Sequence, residues 1–309
     1  MQAWQLTKDV VTKSLDDRVL RLSAALSYYS IFSLAPLVLI AISIAGSVFG
    51  EEAASGLLAD TLRSSIGATA ADAVQDMVLR TRKPSDNIIA SLTGVLVLIL
   101  GATGAFGELQ GALNTVWSVQ QKPGQIIRTL VRDRLLSFTM VLGIGFLMLT
   151  SLILTTGLQI ASDLMARLVP IPGVFWSLLS SVVSFVVVAA LFGAIFRFLP
   201  DVDIQWKDVR FGALLTAGLF VVGKIVLGWY LGRAATASVY GSAGSLVLIL
   251  LWVYYSSLIL LLGAEFTEVH AHSRGRSIRP SAGAVRVTRT IEAVPDGVRP
   301  DSSDRIRTA

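Results

Sequence analysis

The sequence predicts an all-α, polytopic membrane protein with six transmembrane helices and additional amphipathic surface helices. Hydrophobic residues make up 53% of the chain and charged residues 15%, whereas soluble domains carry about 25% charge. Apolar stretches of about 20 residues, the length that crosses a hydrocarbon core of about 30 Å, recur along the chain. The clearest of them has no charge over residues 244–264. Within lipid such a segment satisfies its own backbone groups as a helix.

Residues 1–22 form a polar segment before the first predicted span. Their apolar side chains recur at helical spacing among basic residues, which predicts an amphipathic helix. Such a helix can lie in the membrane interface, and the pattern fits equally well a solvated helix packed on the bundle. The segment is too polar for a cleavable signal peptide. The apolar residues are Trp4, Val11, Leu15, Val19 and Leu22.

The first span is predicted over residues 23–49. Pro36 interrupts its backbone hydrogen-bond ladder, which predicts a kink. Serines, among them Ser27 and Ser30, recur every three or four residues along one face. A hydroxyl stripe of this kind either holds helices together in lipid or lines a cavity, and the sequence leaves both interpretations open.

The second span is predicted over residues 88–106, after a long connection, 50–87, with short apolar stripes that predict helices on the extracytoplasmic membrane surface. The end of this span carries a face of glycines. Glycine weakens a helix, but membrane helices tolerate it where another helix approaches closely. We therefore expect close packing at this face, within one chain or between two copies in a homo-oligomer. The glycines are Gly101, Gly104, Gly107 and Gly111.

The remaining spans complete a membrane domain over residues 23–272. They are predicted at 135–161, 174–199, 209–231 and 244–264. After residue 272 the apolar content falls, and residues 273–309 are rich in Ser, Arg, Pro and Gly. This composition predicts a disordered tail.

The basic residues predict the orientation of the chain. Most of the 26 Lys and Arg residues fall in the N-terminal segment, the second and fourth connections and the tail. By the positive-inside rule these parts, and therefore both termini, are cytoplasmic. Besides the lipid bilayer itself, anionic lipids are the partners that such basic cytoplasmic segments would attract.

Three passages carry a resemblance to a known family. They are AALSYYSIFSLAPLVLI, ATGAFGELQGALNTVW, and RFLPDVDIQWKDVRFGALLTAG continuing to YGSAGSLVLILLWVYYSSLILLLGAEF. On these passages the chain resembles the YihY/BrkB family of bacterial inner-membrane proteins, once described as ribonuclease BN-like. The resemblance implies a six-helix protein of the bacterial plasma membrane with cytoplasmic ends. It implies no settled activity and no catalytic residue.

The residue inventory argues against enzymatic chemistry. The chain has no Cys, which excludes disulfides and thiolate catalysis. Metal-dependent cleavage of a phosphodiester needs clustered His and carboxylate ligands, but the two histidines, His270 and His272, stand beside the predicted tail. We expect no ribonuclease or other enzymatic activity, no metal or cofactor, and no nucleic-acid partner.

Three ionisable residues fall at membrane depth, where charged side chains are functional candidates by default. Lys224 lies in the outer half of the fifth span, whereas Glu265 and Glu108 lie at the cytoplasmic ends of the sixth and second spans. Because the depths differ, we do not expect Lys224 to pair with either acid. The alternative for Lys224 is to extend outward to the headgroups. For the acids it is structural pairing with an inner-side arginine: Arg21, Arg134 or Arg197.

Polar side chains at these two depths complete a candidate pathway. Two polar half-cavities separated by an apolar middle are the layout of alternating-access transporters. The sequence therefore favours a small-molecule or ion transporter or exporter of unknown substrate. The alternative is a non-transporting membrane scaffold or an envelope or lipid-handling factor. The pathway residues besides the charged ones are Ser27, Ser30, Gln159 and Ser181.

Overall fold

The computed structural model describes residues 3–50, 104–122, 173–234, 244–276, 278–281 and 283–288, together with isolated positions between 55 and 76. Most of these residues lie in long helices, and a few form two short two-stranded sheets. The helices are α1 (Ala3–Asp16), α2 (Val19–Phe49), α3 (Gly173–Phe198), α4 (Trp206–Ala234) and α5 (Gly244–Ser273). The strands are β1 (Val119–Gln121), β2 (Val202–Asp203), β3 (Arg279–Pro280) and β4 (Ala284–Arg286). A further helical segment, 104–116, leads into β1.

Three of the described helices are long and apolar enough to cross a membrane. The qualifying stretches are Val174–Phe198, Trp206–Leu227 and Leu246–Ser273, and they coincide with the fourth, fifth and sixth predicted spans. The prediction of a mainly helical chain with membrane-spanning helices is confirmed to this extent. The predicted third span, nearly all of the second and most of residues 50–87 lie outside the described residues, so the count of six stays a prediction.

One face of α3 carries large apolar side chains that the described protein does not cover. Val174, Leu178, Val182 and Val186 follow one another at four-residue spacing, and each is at least 51% exposed. Such a stripe would be unfavourable in water, whereas hydrocarbon tails solvate it well. We therefore interpret it as the side of α3 that faces lipid.

The described helices are arranged around α5. α1, α2 and α4 pack against it, and α3 packs against α4. Apolar side chains from these helices and from the segment 104–116 meet in one core. The fully buried members of that core include Leu113, Val116, Phe196, Val209, Ala217, Leu261 and Ala264.

The seam between α4 and α5 depends on a glycine and a threonine four residues apart on each helix. Gly212 faces Thr267 and Gly263 faces Thr216, as expected for antiparallel helices, and a Cβ atom added at either glycine would overlap the opposite threonine. Each threonine hydroxyl donates to the glycine carbonyl of its own helix: Thr216 Oγ1 to Gly212 O at 2.6 Å, and Thr267 Oγ1 to Gly263 O at 2.7 Å. Small residues of this kind let membrane helices approach closely.

The glycine face predicted for close packing is open in the structure. Gly104, Gly107 and Gly111 are exposed, and a Cβ atom built at any of them meets nothing within 4 Å. Gly101 lies outside the described residues. None of the described residues packs against these three glycines, so close packing at this face, within the chain or between two copies, stays a prediction.

Residues 278–288 differ from the disordered tail predicted for 273–309. β3 pairs antiparallel with β2, and β4 pairs antiparallel with β1. Two further backbone bonds fix the segment: Ser281 N–H donates to Asp201 O at 3.0 Å, and Val287 N–H donates to Ser118 O at 2.9 Å. The composition could not reveal that two short strands elsewhere in the chain offer these residues free edges. Residues 289–309 lie outside the described part.

Residues 1–22 do not form one helix. α1 ends at Asp16, Arg18 adopts a left-handed conformation with φ 56° and ψ 44°, and α2 begins at Val19, four residues before the predicted span. α1 packs against α5 and α2, which agrees with the packed alternative. Trp4 and Leu15 are exposed on it, so contact with the membrane interface stays a prediction.

Candidate functional site: a buried ionic cluster between α1 and α5

α1 places one lysine against a pair of acids on α5. Lys13 Nζ lies 3.1 Å from Glu265 Oε2, 3.1 Å from Glu268 Oε2 and 3.5 Å from Asp17 Oδ2. It also donates to Val116 O at 2.5 Å, so one ammonium group joins α1, α5 and the segment 104–116. Helical spacing explains the geometry, because side chains three or four residues apart share a helix face. We call Lys13, Asp17, Glu265, Glu268 and His272 the Lys13 cluster.

The Lys13 cluster brings several acidic side chains together where they have little contact with water. The side chain of Glu265 is 0% exposed and that of Glu268 is 8% exposed. Three carboxylates face one ammonium group. His272, whose Nδ1 lies 3.1 Å from Glu268 Oε1, adds a positive charge when it is protonated. Buried charges are unfavourable unless they are paired, so these acids depend on Lys13.

One oxygen of Glu265 lacks a hydrogen-bond donor. Lys13 holds Oε2 at 3.1 Å, whereas Oε1 is buried and accepts no hydrogen bond from any residue that the structure describes. A buried acceptor left without a donor costs about 1–3 kcal/mol, and more when it is charged. A proton or a cation bound at Oε1 would remove that cost. Glu265 is therefore the member of the cluster best suited to bind one.

Lys13 stays charged in this cluster. Burial lowers the pKa of Lys13, but the charges of Glu265, Glu268 and Asp17 outweigh the burial and raise the pKa above its ordinary value of 10.5. The stability that the raised pKa contributes is present below about pH 10.5 and is lost as the pH rises through the raised value. Lys13 therefore keeps its positive charge at neutral pH.

A second buried acid, Asp201, is held by amide groups that we call the Asp201 cage. Asp201 Oδ2 accepts hydrogen bonds from Asn114 Nδ2 at 2.9 Å, Gln121 Nε2 at 3.3 Å and Gln110 Nε2 at 3.4 Å. The backbone N–H of Asp201 donates to Asn114 Oδ1 at 2.8 Å. These bonds tie residues 104–122 to the link between α3 and α4. Because Oδ2 is well supplied with donors, we interpret this cage as a structural tie.

Replacing Asn114 by Ala should lower the free energy of unfolding by about 3 kcal/mol, because two hydrogen bonds are lost. The buried Asp201 N–H is left without its acceptor, and the carboxylate keeps only the donors of Gln110 and Gln121. Thermal unfolding of the full chain in detergent measures the effect. The control is Thr115→Ala, which removes a hydroxyl that donates to Gly111 O of its own helix and should change stability by about 0.5 kcal/mol or less. Equal losses in the two variants would show that the cage is not a structural tie.

The structure separates the three charged residues predicted for the pathway. Glu265 is buried in the Lys13 cluster, whereas Glu108 and Lys224 are half-buried outside it. Glu265 pairs with Lys13 and not with Arg21 or Arg197, whereas Arg134, the third expected partner, lies outside the described residues. Arg197 instead donates to the carbonyl of Ile204. Two spacings in the sequence are consistent with the cluster, Lys13 with Asp17 at four residues and Glu265 with Glu268 at three, but neither indicates that α1 packs against α5.

The uncharged pathway residues are not gathered at one described site. Ser27 is buried and Ser181 is exposed, and each hydroxyl donates to a carbonyl of its own helix, at 2.8 Å and 2.9 Å respectively. Ser30 is half-buried, and Gln159 lies outside the described residues. Pro36 lies within the continuous helix α2, although its side-chain surroundings are outside the described part. Their shared role in a pathway therefore stays a prediction.

The long apolar helices and the lipid-facing stripe of α3 define the class of this protein, an integral membrane protein with helical spans. The chain belongs to the BrkB family, because the family model described as "Virulence factor BrkB" matches residues 10–287. The matched range takes in Lys13, both glutamates of the cluster, the Asp201 cage and β4. These features therefore lie within the family region.

Several curated relatives carry the name UPF0761 membrane protein. One from Rhodospirillum centenum is 30% identical over 250 residues, which cover 80% of this chain and 53% of the relative. One from Alkalilimnicola ehrlichii is 28% identical over 262 residues, which cover 82% and 56%. A third, from Mannheimia succiniciproducens, is 25% identical over 258 residues, which cover 82% and 85%. The chain thus spans about half the length of the first two relatives. No solved structure gives a significant match.

Proposed function

We propose that this chain is a transporter of a small molecule or an ion, with six transmembrane helices and both termini in the cytoplasm of a bacterial cell. The observation that carries the proposal is the state of Glu265. Its carboxylate is fully buried near the end of a helix long enough to span the membrane, and its Oε1 lacks a donor among the described residues. Ionisable groups placed in this way are typical of ion and substrate pathways.

In this proposal the Lys13 cluster acts as the cytoplasmic gate. With α1 in place, Lys13 covers Glu265 and Glu268 and offsets part of their negative charge. When α1 moves away, the acids lose this counter-charge and take up a proton or a cation from water. The return of Lys13 displaces that ion, because the ammonium group and the ion compete for the same carboxylate oxygens. In each state a cation lies beside the acids, which limits the cost of burying them.

The other candidate residues have corresponding roles. Glu108, Ser27 and Ser30 belong to the inner half of the pathway, beside the gate. Lys224 belongs to the outer half with Gln159 and Ser181, where its charge attracts an anionic group of the substrate. The pathway requires no cofactor, no enzymatic step and no nucleic acid.

Ion flux through the full chain in liposomes tests the proposal. A pH-sensitive dye inside the liposomes reports proton flux, and imposed Na⁺ or K⁺ gradients report exchange of either cation for protons. The wild-type protein should dissipate at least one gradient faster than empty liposomes, and Glu265→Gln should return the rate to that of empty liposomes. Asp16→Asn removes an exposed carboxylate of α1 and should leave the rate unchanged. Equal rates for Glu265→Gln and wild type would contradict the proposed gate.

The second candidate is a non-transporting membrane scaffold or an envelope or lipid-handling factor. The exposed glycine face of Gly104, Gly107 and Gly111 favours it, because such a face can seat a helix of another protein or of a second copy. A scaffold predicts no flux of protons, Na⁺ or K⁺ above that of empty liposomes. It also predicts that bulky substitutions at Gly107 abolish an association while leaving the monomer folded.

A further inference from the structure

A cleft of about 770 Å³ lies where the link between α3 and α4 meets the residues after α5. Its walls come from the end of α3, from the link with β2 and the first turn of α4, and from Arg276, Ile278 and Arg279. The pairing of β3 with β2 holds the last of these walls in place. The charged residues of the lining are four basic ones, Arg197, Lys207, Arg276 and Arg279, and two acidic ones, Asp203 and Asp208.

Some basic residues of the cleft already have a hydrogen-bond or ion-pair partner within the protein. Arg276 forms an ion pair with Asp208, and Arg197 donates to the carbonyl of Ile204. Lys207 and Arg279 are exposed, and within the described part of the chain no carboxylate forms an ion pair with either of them. The cleft therefore presents two cations to an incoming anion, in a lining with an excess of positive charge.

The cleft lies at the boundary of the membrane. Two candidate spans flank it, one ending at Phe198 and the other beginning at Trp206. Both aromatic side chains are about half exposed, and their rings meet edge to face with centroids 5.9 Å apart. Arg197 Cζ lies 5.7 Å and 5.3 Å from the two ring centroids. Exposed aromatic and arginine side chains at the ends of spans are typical of the headgroup level.

We propose that this cleft binds a phosphate group, with Lys207 and Arg279 contacting its oxygens. An ammonium group and a planar guanidinium group are the side chains that proteins use for phosphate. Because the two candidate spans beside the cleft end at Phe198 and begin at Trp206, we infer that these cations lie near the phosphates of the lipid headgroups. Val202, Ile204 and Ile278 also line it, and they offer apolar contact to the groups that flank a phosphodiester. These features favour a phospholipid headgroup over free phosphate, and the assignment holds whether or not the chain transports ions.

Lipid binding to the full chain in a neutral detergent tests the proposal. The probes are phosphatidylglycerol, phosphatidylcholine and inorganic phosphate, and native mass spectrometry counts the bound molecules. The cleft variant is Lys207→Gln/Arg279→Gln. The control is Arg210→Gln/Arg274→Gln, which removes the same charge from exposed side chains that lie over Phe211, outside the cleft lining. Unfolding temperatures establish that both variants are folded, and Lys207→Gln alone replaces the double variant if that one is unfolded.

We expect phosphatidylglycerol to bind wild type and control equally and to bind the cleft variant at least about tenfold more weakly. Binding of phosphatidylglycerol that inorganic phosphate does not displace assigns the cleft to a lipid headgroup. Displacement by inorganic phosphate, or binding of inorganic phosphate alone, supports the phosphate site with a soluble ligand. The proposal is overturned if the control and the cleft variant lose affinity equally, or if neither variant changes the affinity. It is also overturned if none of the probes binds the wild-type protein.

Discussion

Lys13→Ala is expected to destabilise the protein by about 3–5 kcal/mol, because removing one partner leaves the buried carboxylates of Glu265 and Glu268 without a counter-charge. Glu265 is 0% exposed, so its charge is poorly hydrated once the ammonium group is gone. Chemical or thermal unfolding in detergent measures the loss. Lys8→Ala removes an exposed lysine of the same helix and should change the free energy of unfolding by about 0.5 kcal/mol or less.

The double variant Lys13→Ala/Glu265→Gln separates loss of the ion pair from loss of side-chain packing. Neutralising Glu265 removes the uncompensated charge, so the double variant should be more stable than Lys13→Ala. A double-mutant cycle of wild type, Lys13→Ala, Glu265→Gln and the double variant then gives the coupling free energy between the two side chains. Equal losses for Lys13→Ala and Lys8→Ala, or no recovery in the double variant, would contradict the pairing.

Gly212→Val is expected to destabilise the seam between α4 and α5 by about 3 kcal/mol or more, at the upper end of the cost of overpacking. The added side chain would overlap Thr267, and the helices can accommodate it by moving apart. Gly218→Val is the matched control, because a Cβ atom at Gly218 on the same helix meets nothing within 4 Å. The unfolding temperatures of the two variants in detergent give the comparison.

A companion substitution identifies the cause of the loss at Gly212. Thr267→Ala removes the hydroxyl that the new side chain would overlap, so Gly212→Val/Thr267→Ala should recover part of the stability that Gly212→Val loses. A Gly218→Val protein as unstable as Gly212→Val would indicate that loss of glycine flexibility, and not contact across the seam, determines the result.

The sequence predicts the described spans well because the length of an apolar segment can be determined from that segment alone. The bounds of α3, for example, follow from a mostly apolar run that has no charge before Arg197 and that Pro200 ends. Contacts between helices depend on which faces meet, and this information is not local. The conspicuous glycines at 101–111 therefore attracted the packing prediction, whereas the seam uses Gly212 and Gly263. β3 and β4 have two and three residues, too few for a recognisable strand pattern.

Only the α5 side of the candidate site could be predicted from the sequence. Glu265 could be singled out because a carboxylate at the end of an apolar run is costly wherever it lies. Lys13 could not, because a lysine among other basic residues of an amphipathic helix has the pattern of a solvated charge. Its position depends on the left-handed turn at Arg18, which directs α1 back onto α5. The residue types around Arg18 do not indicate that its φ angle is positive.

The distance along the chain between Lys13 and Glu265 has a consequence for biosynthesis. The two residues are 252 positions apart, so α1 leaves the ribosome long before its partner helix is made. During that interval the lysine stays hydrated, and its contact with the two acids forms only after α5 has been made. α1 is therefore made well before the helix against which it packs, and it reaches its final contacts late.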